Sequence, residues 1–198
     1  MSYTIRPATA ADGAACAGIY APYTGTAITF ESPAPDAAEM SRRIDEAAAG
    51  GYPWLVCERD GLAAGYAYAH RFRVRAAYDW DAALSAYLAP EATGRGIGEA
   101  LYGAVIELFA HQGFVNAYGT VSVPNRPSER LHEKCGFTHL FTMRRTGWKL
   151  GRWRDLAYYH LQLNPYDGEP APVVPFSGLD GEYIRGVCEK HAQRIKEA

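Results

Sequence analysis

The stretch Leu84-Ser85-Ala86-Tyr87-Leu88-Ala89-Pro90-Glu91-Ala92-Thr93-Gly94-Arg95-Gly96-Ile97-Gly98-Glu99 decides how this chain folds. Leu84 to Leu88 reads as a strand, and Pro90 stops it because proline has no N–H for a ladder. Closely spaced glycines then lead into Ile97, Leu101, Val105 and Leu108 or Phe109, which recur at helical spacing until His111-Gln112-Gly113 closes the helix in the manner of a glycine C-cap. A strand that passes through glycines into a helix gathers unsatisfied backbone N–H groups at one point, where helix polarity favours an anion such as pyrophosphate. Two familiar phosphate motifs fail on spacing. The pattern G-x-x-x-x-G-K-[ST] is absent, and a dinucleotide fingerprint needs glycine where Glu99 or Leu101 stands. A turn that only permits close packing is the structural alternative for these glycines.

Upstream of this stretch, Tyr3 to Arg6 alternates as a first strand, and Thr9-Ala10-Ala11-Asp12 has the form of a capping box. The helix after it turns Cys16, Ile19, Tyr20 and Tyr23 to one face. Asp36 caps a second helix that runs to Gly50-Gly51 with Met40 and Ile44 inward. Trp54 to Arg59 and Leu62 to His70 flank Asp60-Gly61, the dipeptide of a tight hairpin. Downstream, Val115 to Val121 is a strand, Pro127 starts a short helix that stops at Gly136, and Leu140 to Lys149 and Leu156 to Leu163 are closing strands. The order predicts a mixed α/β domain over residues 1–165, followed by a proline-rich linker and a helical extension over 166–198.

The 198 residues carry a net charge of −2, which offers no footprint for nucleic acid. No apolar run has the length of a membrane helix, and the N-terminus lacks a secretory core, so a cytoplasmic protein is expected. Cys16, Cys57, Cys135 and Cys188 form no C-x-x-C pair, so no metal site is expected and the four read as reduced packing residues.

Tyr87-Leu88-Ala89 followed by Thr93-x-x-Gly96-x-Gly98 resembles the coenzyme A signature of the GNAT acetyltransferase superfamily, with Thr93 in place of the usual Gln or Arg. Pro124-Asn125-Arg126-Pro127-Ser128 through Cys135-Gly136-Phe137 resembles its second signature. Ile19-Tyr20, Thr29-Phe30-Glu31, Gly65-Tyr66-Ala67-Tyr68-Ala69, Ala77-Tyr78-Asp79-Trp80 and Gly147-Trp148-Lys149 narrow the resemblance to the phosphinothricin and methionine sulfoximine acetyltransferase branch, over roughly residues 3–165. The resemblance implies a GNAT fold, with a central, mostly antiparallel sheet flanked by helices, and a homodimer. It also implies acetyl-CoA as cosubstrate and a small amino-acid-like amine as acceptor.

By the same resemblance, backbone groups of Ala86, Tyr87 and Leu88 hold the pantetheine arm, and the turn Gly94, Arg95, Gly96, Ile97, Gly98 and Glu99 takes the pyrophosphate. Asn125 and Ser128 reach the coenzyme, and Phe30, Glu31, Arg75 and Tyr78 build the acceptor pocket. Arginine suits a carboxylate or phosphinate, which its planar fork grips twice. Arg71, Arg73 and Arg75 alternate, and on a strand they would share a face. The strand before the turn carries a glutamate base in this branch, and Ala83 stands there in this chain. Asp81 and Ser85 share the face of Ala83, yet neither simply replaces the carboxylate. His132 aligns with a histidine given a catalytic role and is the substitute base. A regulatory acetyl-CoA binder that has lost its base, and an acetyltransferase for a protein amine, are the alternatives.

Overall fold

The computed structural model describes residues 2–196; Met1 and the last two residues of the expected extension lie outside them. Seven strands form one open sheet in the order β1-β2-β3-β4-β5-β7-β6. They are β1 (Tyr3–Pro7), β2 (Trp54–Arg59), β3 (Leu62–Arg71), β4 (Asp81–Leu88), β5 (Asn116–Val123), β6 (Thr138–Lys149) and β7 (Arg152–Gln162). Every neighbouring pair is antiparallel except β4 and β5. The helices are α1 (Gly13–Thr24), α2 (Ala37–Ala49), α3 (Ile97–Gln112), α4 (Arg126–Lys134) and α5 (Gly181–Ala192).

Local chemistry sets these elements where the sequence put them. Asp60 and Gly61 take φ of 50° and 82°, the left-handed pair of a tight turn, and β2 and β3 run antiparallel from it. The Asp36 carboxylate accepts the Glu39 N–H at 2.8 Å and caps α2, whose Met40 and Ile44 are buried. Thr9 N–H donates to Asp12 at 2.8 Å, and a short 3-10 turn precedes α1. The closing strands begin earlier than apolar patterning suggested, because β6 is largely exposed and pairs by backbone rather than by burying a side-chain face.

The two faces of β4 are covered by different helices. The Tyr87 ring lies 4.6 Å from Tyr20 and 5.3 Å from Tyr23 of α1. Leu88, pointing the other way, approaches α3, with its Cδ1 3.7 Å from where a Cβ at Gly98 would project. The sheet is therefore the middle of three layers. Leu55, Val56, Tyr66 and Ala67 are sealed in it, as are Leu101, Val105, Leu108 and Phe109 of α3.

One expectation is corrected here. Arg71, Arg73 and Arg75 do not share a strand face, because β3 ends at Arg71. Arg71 pairs with Asp79, Arg73 lies 5.2 Å and 5.3 Å from the rings of Phe72 and Tyr78, and Arg75 opens a 3-10 turn. An ion pair and stacking on rings hold this segment as a loop, where alternation says nothing about facing.

The extension lies on the body. Its linker accepts Trp80 Nε1–H at Ala171 O (2.7 Å), and α5 packs along α3 and β1. Gly103 makes room for it: a Cβ there would lie 2.6 Å from the His191 ring. Glycine inside a helix costs about 1 kcal/mol against alanine, which marks this notch as a packing requirement.

Candidate active site

β4 and β5 pair only from Asp81, Ala82 and Ala83 to Asn116, Ala117 and Tyr118, and from there they part. On its other side β4 stays in register with β3 through Leu88. Ala89 N–H donates to Ala64 O at 2.9 Å, so antiparallel alternation turns the backbone groups of Tyr87, Ser85 and Ala83 toward β3. Those of Leu84, Ala86 and Leu88 then face the gap. The Leu88 carbonyl is capped by Tyr23 at 2.6 Å, and the Leu84 carbonyl lies 3.5 Å from Tyr102 Oη. Ala86 keeps its N–H and C=O for whatever enters. Of the three expected pantetheine contacts, Ala86 thus offers both backbone groups and Leu88 its N–H. Tyr87, contrary to expectation, turns its backbone to β3, and its ring packs on Tyr20 and Tyr23.

The gap narrows to a throat of about 50 Å³ lined by Ser85, Ala86, Tyr87, Asn125, Ser128 and His132, among others. Asn125 caps α4 by accepting the Ser128 N–H at 3.4 Å, while its own N–H donates to Glu129 at 2.8 Å. His132 is 1% exposed, with Nδ1 2.8 Å from Ser128 O and Nε2 3.3 Å from Tyr102 Oη. Only Nδ1–H can donate to a carbonyl, so Nε2 is the acceptor. Burial holds this imidazole below the usual histidine range against the opposing pull of the Ser128 bond, and it is neutral near pH 7. The ring stacks on Tyr159 at 4.9 Å and lies over Gly119, where a Cβ would come within 2.1 Å of Nε2.

At the outer end of the gap, Gly94 and Gly96 take φ of 79° and 86° and swing the chain into α3. Gly96 sits at the N-cap without a side-chain cap, so the first amides of α3, at Ile97, Gly98 and Glu99, are left for an anion. Gly98 also allows α4 to approach, since a Cβ there would meet Leu131 at 3.4 Å. Arg95 is half-buried beside this turn, whereas the exposed Glu99 pairs with Lys134 at 3.5 Å.

Toward the α1 face of β4 lie the residues expected to meet the acceptor. Phe30 is 38% exposed and rests on Gly147, where a Cβ would lie 2.4 Å from its ring. Its segment is tied down on both flanks. Lys149 Nζ donates to Thr29 O (2.7 Å) and Glu31 O (2.8 Å), while the Glu31 carboxylate pairs with Arg43 and accepts Tyr20 Oη–H at 2.8 Å. Glu31 therefore anchors the segment that presents Phe30, and its carboxylate is already engaged. Tyr78 belongs to a second group with Phe72, which stacks on Tyr118 at 4.0 Å, and Arg75 is exposed on the same loop. The structure thus brings the expected acceptor residues together as two clusters rather than one.

Ala83 is 8% exposed, and its cross-strand partner is His70. Directly opposed residues share a face with Cβ atoms roughly 5 Å apart. His70 sits 6.0 Å from Tyr68 on that face, and Nδ1–H donates to Arg71 O at 3.0 Å, which leaves Nε2 as an acceptor. Sequence reasoning missed His70, because only the register of the β2–β3 hairpin against β4 sets it opposite Ala83. Cys135, by contrast, has its thiol pushed up by burial to about 11, which keeps it protonated and inert.

Residues 5–157 match the family model described as an acetyltransferase (GNAT) domain. A phosphinothricin N-acetyltransferase of Streptomyces viridochromogenes is 36% identical over 180 residues, covering 88% of this chain and 95% of that protein. An L-methionine sulfoximine/L-methionine sulfone acetyltransferase of Pseudomonas aeruginosa is 34% identical over 173 residues, covering 86% of this chain and all of the relative. A phosphinothricin acetyltransferase of Sinorhizobium meliloti, solved in complex with AcCoA, superposes with a TM-score of 0.84 at 35% identity, over 89% of this chain and 98% of that one. This chain therefore belongs to the GNAT acetyltransferases, in their phosphinothricin and methionine sulfoximine acetyltransferase branch.

Proposed function

We propose that this protein moves the acetyl group of acetyl-CoA to the primary amine of a small amino-acid-like acceptor of the phosphinothricin or methionine sulfoximine type. The observation that carries this reading is the free backbone of Ala86 in the gap between β4 and β5. An N–H aimed into a narrow throat is suited to a thioester oxygen, which gains negative charge as the amine attacks. The amides opening α3, with Arg95 beside them, hold the pyrophosphate, and Asn125 and Ser128 line the path of the arm. The acceptor reaches the thioester from the α1 side, between Phe30 and the Tyr78 loop, with Arg75 for its acid group. The kinship with enzymes named for such acceptors supports a small substrate over a protein amine.

Direct attack requires a neutral amine, so a group must take its proton. His132 fits as that base: it is neutral and lines the throat beside Ser85 and Ala86, and its unprotonated Nε2, 3.3 Å from Tyr102 Oη, would give up that hydroxyl for the amine proton. His70 is a second candidate imidazole, across from Ala83 on the proposed acceptor face, where Ala83 carries no carboxylate. A thiol-release assay over pH decides between them. His132→Gln is expected to lower kcat by about 100-fold and to remove the acidic limb of the profile, with His70→Gln close to unaltered. Loss of the limb in His70→Gln alone would move the base to the outer face. Failure of acetyl-CoA to raise the melting temperature would sink acetyl transfer itself.

The same reading makes the protein a cytoplasmic homodimer. Four unbridged cysteines suit a reducing compartment, and the β6 edge exposes Leu140, Phe141, Met143 and Trp148 beside Trp153 of β7, an apolar surface fit for a second copy. Light scattering that returns the mass of one 21.7 kDa chain would remove the dimer.

A further inference from the structure

The glycine turn has little of its own to hold it. Gly94 and Gly96 are in a backbone region where glycine moves freely, the N-cap has no side-chain bond, and the amides that open α3 are reserved for an anion. Among the described residues, the one backbone bond from outside α3 to Gly94, Arg95 or Gly96 comes from the far end of the chain. After α5 the backbone doubles back, with Arg194 N–H bonded to His191 O and Ile195 N–H to Ala192 O, both at 3.1 Å. Lys196 N–H then donates to Arg95 O at 3.0 Å, and Arg194 O lies 3.8 Å from where a Cβ at Gly96 would project.

The element that delivers this tether is itself firmly seated on α3. Val187, Cys188, His191, Ala192 and Ile195 are buried, and the His191 ring fills the notch at Gly103. Glu107 of α3 takes Lys190 at 2.9 Å and His191 at 2.8 Å, and Tyr183 stacks on His111 at 3.9 Å. The linker grips the other end of the same helix. Val174 N–H donates to Gln112 O at 2.8 Å, and Gln112 Nε2–H donates back to Val174 O at 2.8 Å. The extension therefore spans α3 from its C-terminus to its anion-binding N-terminus, although it lies beyond the residues that match the family domain.

We propose that the C-terminal extension belongs to the coenzyme site: residues 194–196 buttress the pyrophosphate turn from behind, so that docking of α5 and binding of acetyl-CoA are coupled. The buttress acts through Arg95 and Gly96 and touches no reacting atom, so it tunes coenzyme affinity and not the chemical step. Coupling between two binding events is reciprocal, so acetyl-CoA must tighten the extension by the factor by which the extension tightens acetyl-CoA. This inference rests on acetyl-CoA binding at the turn.

The test uses the whole chain and changes one N–H. Lys196→Pro deletes the donor to Arg95 O, whereas Lys196→Ala keeps it and removes only the side chain. Calorimetry with acetyl-CoA is expected to give a Kd about fivefold weaker for Lys196→Pro, with Lys196→Ala within about twofold of the unaltered protein. KM for acetyl-CoA rises in parallel while kcat at saturating coenzyme stays level, a split that general loosening of the fold would not produce. Hydrogen exchange is expected to slow across residues 183–195 when acetyl-CoA is added to the unaltered protein, and to slow less in Lys196→Pro. Unaltered Kd in Lys196→Pro, or exchange in α5 indifferent to acetyl-CoA, overturns the buttress. An unaltered protein that ignores acetyl-CoA altogether instead removes the coenzyme reading on which it stands.

Discussion

On the proposed coenzyme side of the gap, the parts on offer are backbone groups of β4 and α3 and the turn between them, neighbours in sequence as well as in space. On the proposed acceptor side they are side chains brought from far apart: Phe30 against Gly147, Glu31 against Arg43, Lys149 on the carbonyls of Thr29 and Glu31, and His70 across from Ala83. A carrier shared by many enzymes can be gripped by backbone, which no side-chain change removes. An acceptor must be told from its analogues, and that needs side chains whose replacement shifts preference by about 1 to 3 kcal/mol each.

If the two sides are this separable, a change under the throat must strike chemistry and leave coenzyme affinity alone. Gly119→Ala is the largest such change, because its Cβ would lie 2.1 Å from His132 Nε2 and the ring has Tyr159 and Tyr102 around it. Displacing the imidazole by about 1 Å is expected to lower kcat by roughly 100-fold. The Kd for acetyl-CoA, read by calorimetry, should move less than about twofold, since the turn and the amides that open α3 lie away from the change. Equal losses in both would show that the throat and the coenzyme site act as one unit.

The acceptor side has its own wedge. In Gly147→Ala the new Cβ would meet the Phe30 ring at 2.4 Å, and Phe30 must leave its seat on β6. KM for the amino acid is expected to rise about tenfold, with kcat changed less and KM for acetyl-CoA level, as for a loss of uniform acceptor binding. A rise confined to KM for acetyl-CoA would break the division between the sides.

This division also explains which parts the sequence disclosed. The turn at Gly94 and Gly96, the hairpin at Asp60-Gly61 and the cap at Asp36 are consequences of φ and of hydrogen bonds that close within a few residues, so composition reveals them. The parting of β4 from β5 after Ala83 is a relation between strands separated by all of α3. So are His70 opposite Ala83 and Lys196 on Arg95, and no periodicity encodes such register. The arginines at 71, 73 and 75 mislead for the same reason: their alternation is real, but Asp79, Phe72 and Tyr78 draw them into a loop.

The smallest effect separates the regions by pH. His132, at the throat, and His191, under α5, are both held below the usual histidine range by burial, against the bonds that each makes to Ser128 O and Glu107. A depressed imidazole stays neutral in the fold while its unfolded counterpart takes a proton near pH 6.5, so the unfolded chain gains protons first and stability falls as pH drops below about 6.5. The carboxylates depressed by Arg6 at Asp12 and by Arg43 at Glu31 act later. Their contribution is complete above about pH 5, clear of their unfolded values, and is lost as the solution falls through their lowered folded values. The melting temperature is therefore expected to be flat above pH 7 and to fall by about 2 to 4 °C on reaching pH 5.5. His191→Gln should flatten part of that slope without touching the acidic limb of kcat, while His132→Gln should alter both. A slope that survives both replacements would mean that neither buried ring governs it, and that carboxylates begin to matter well above their expected range.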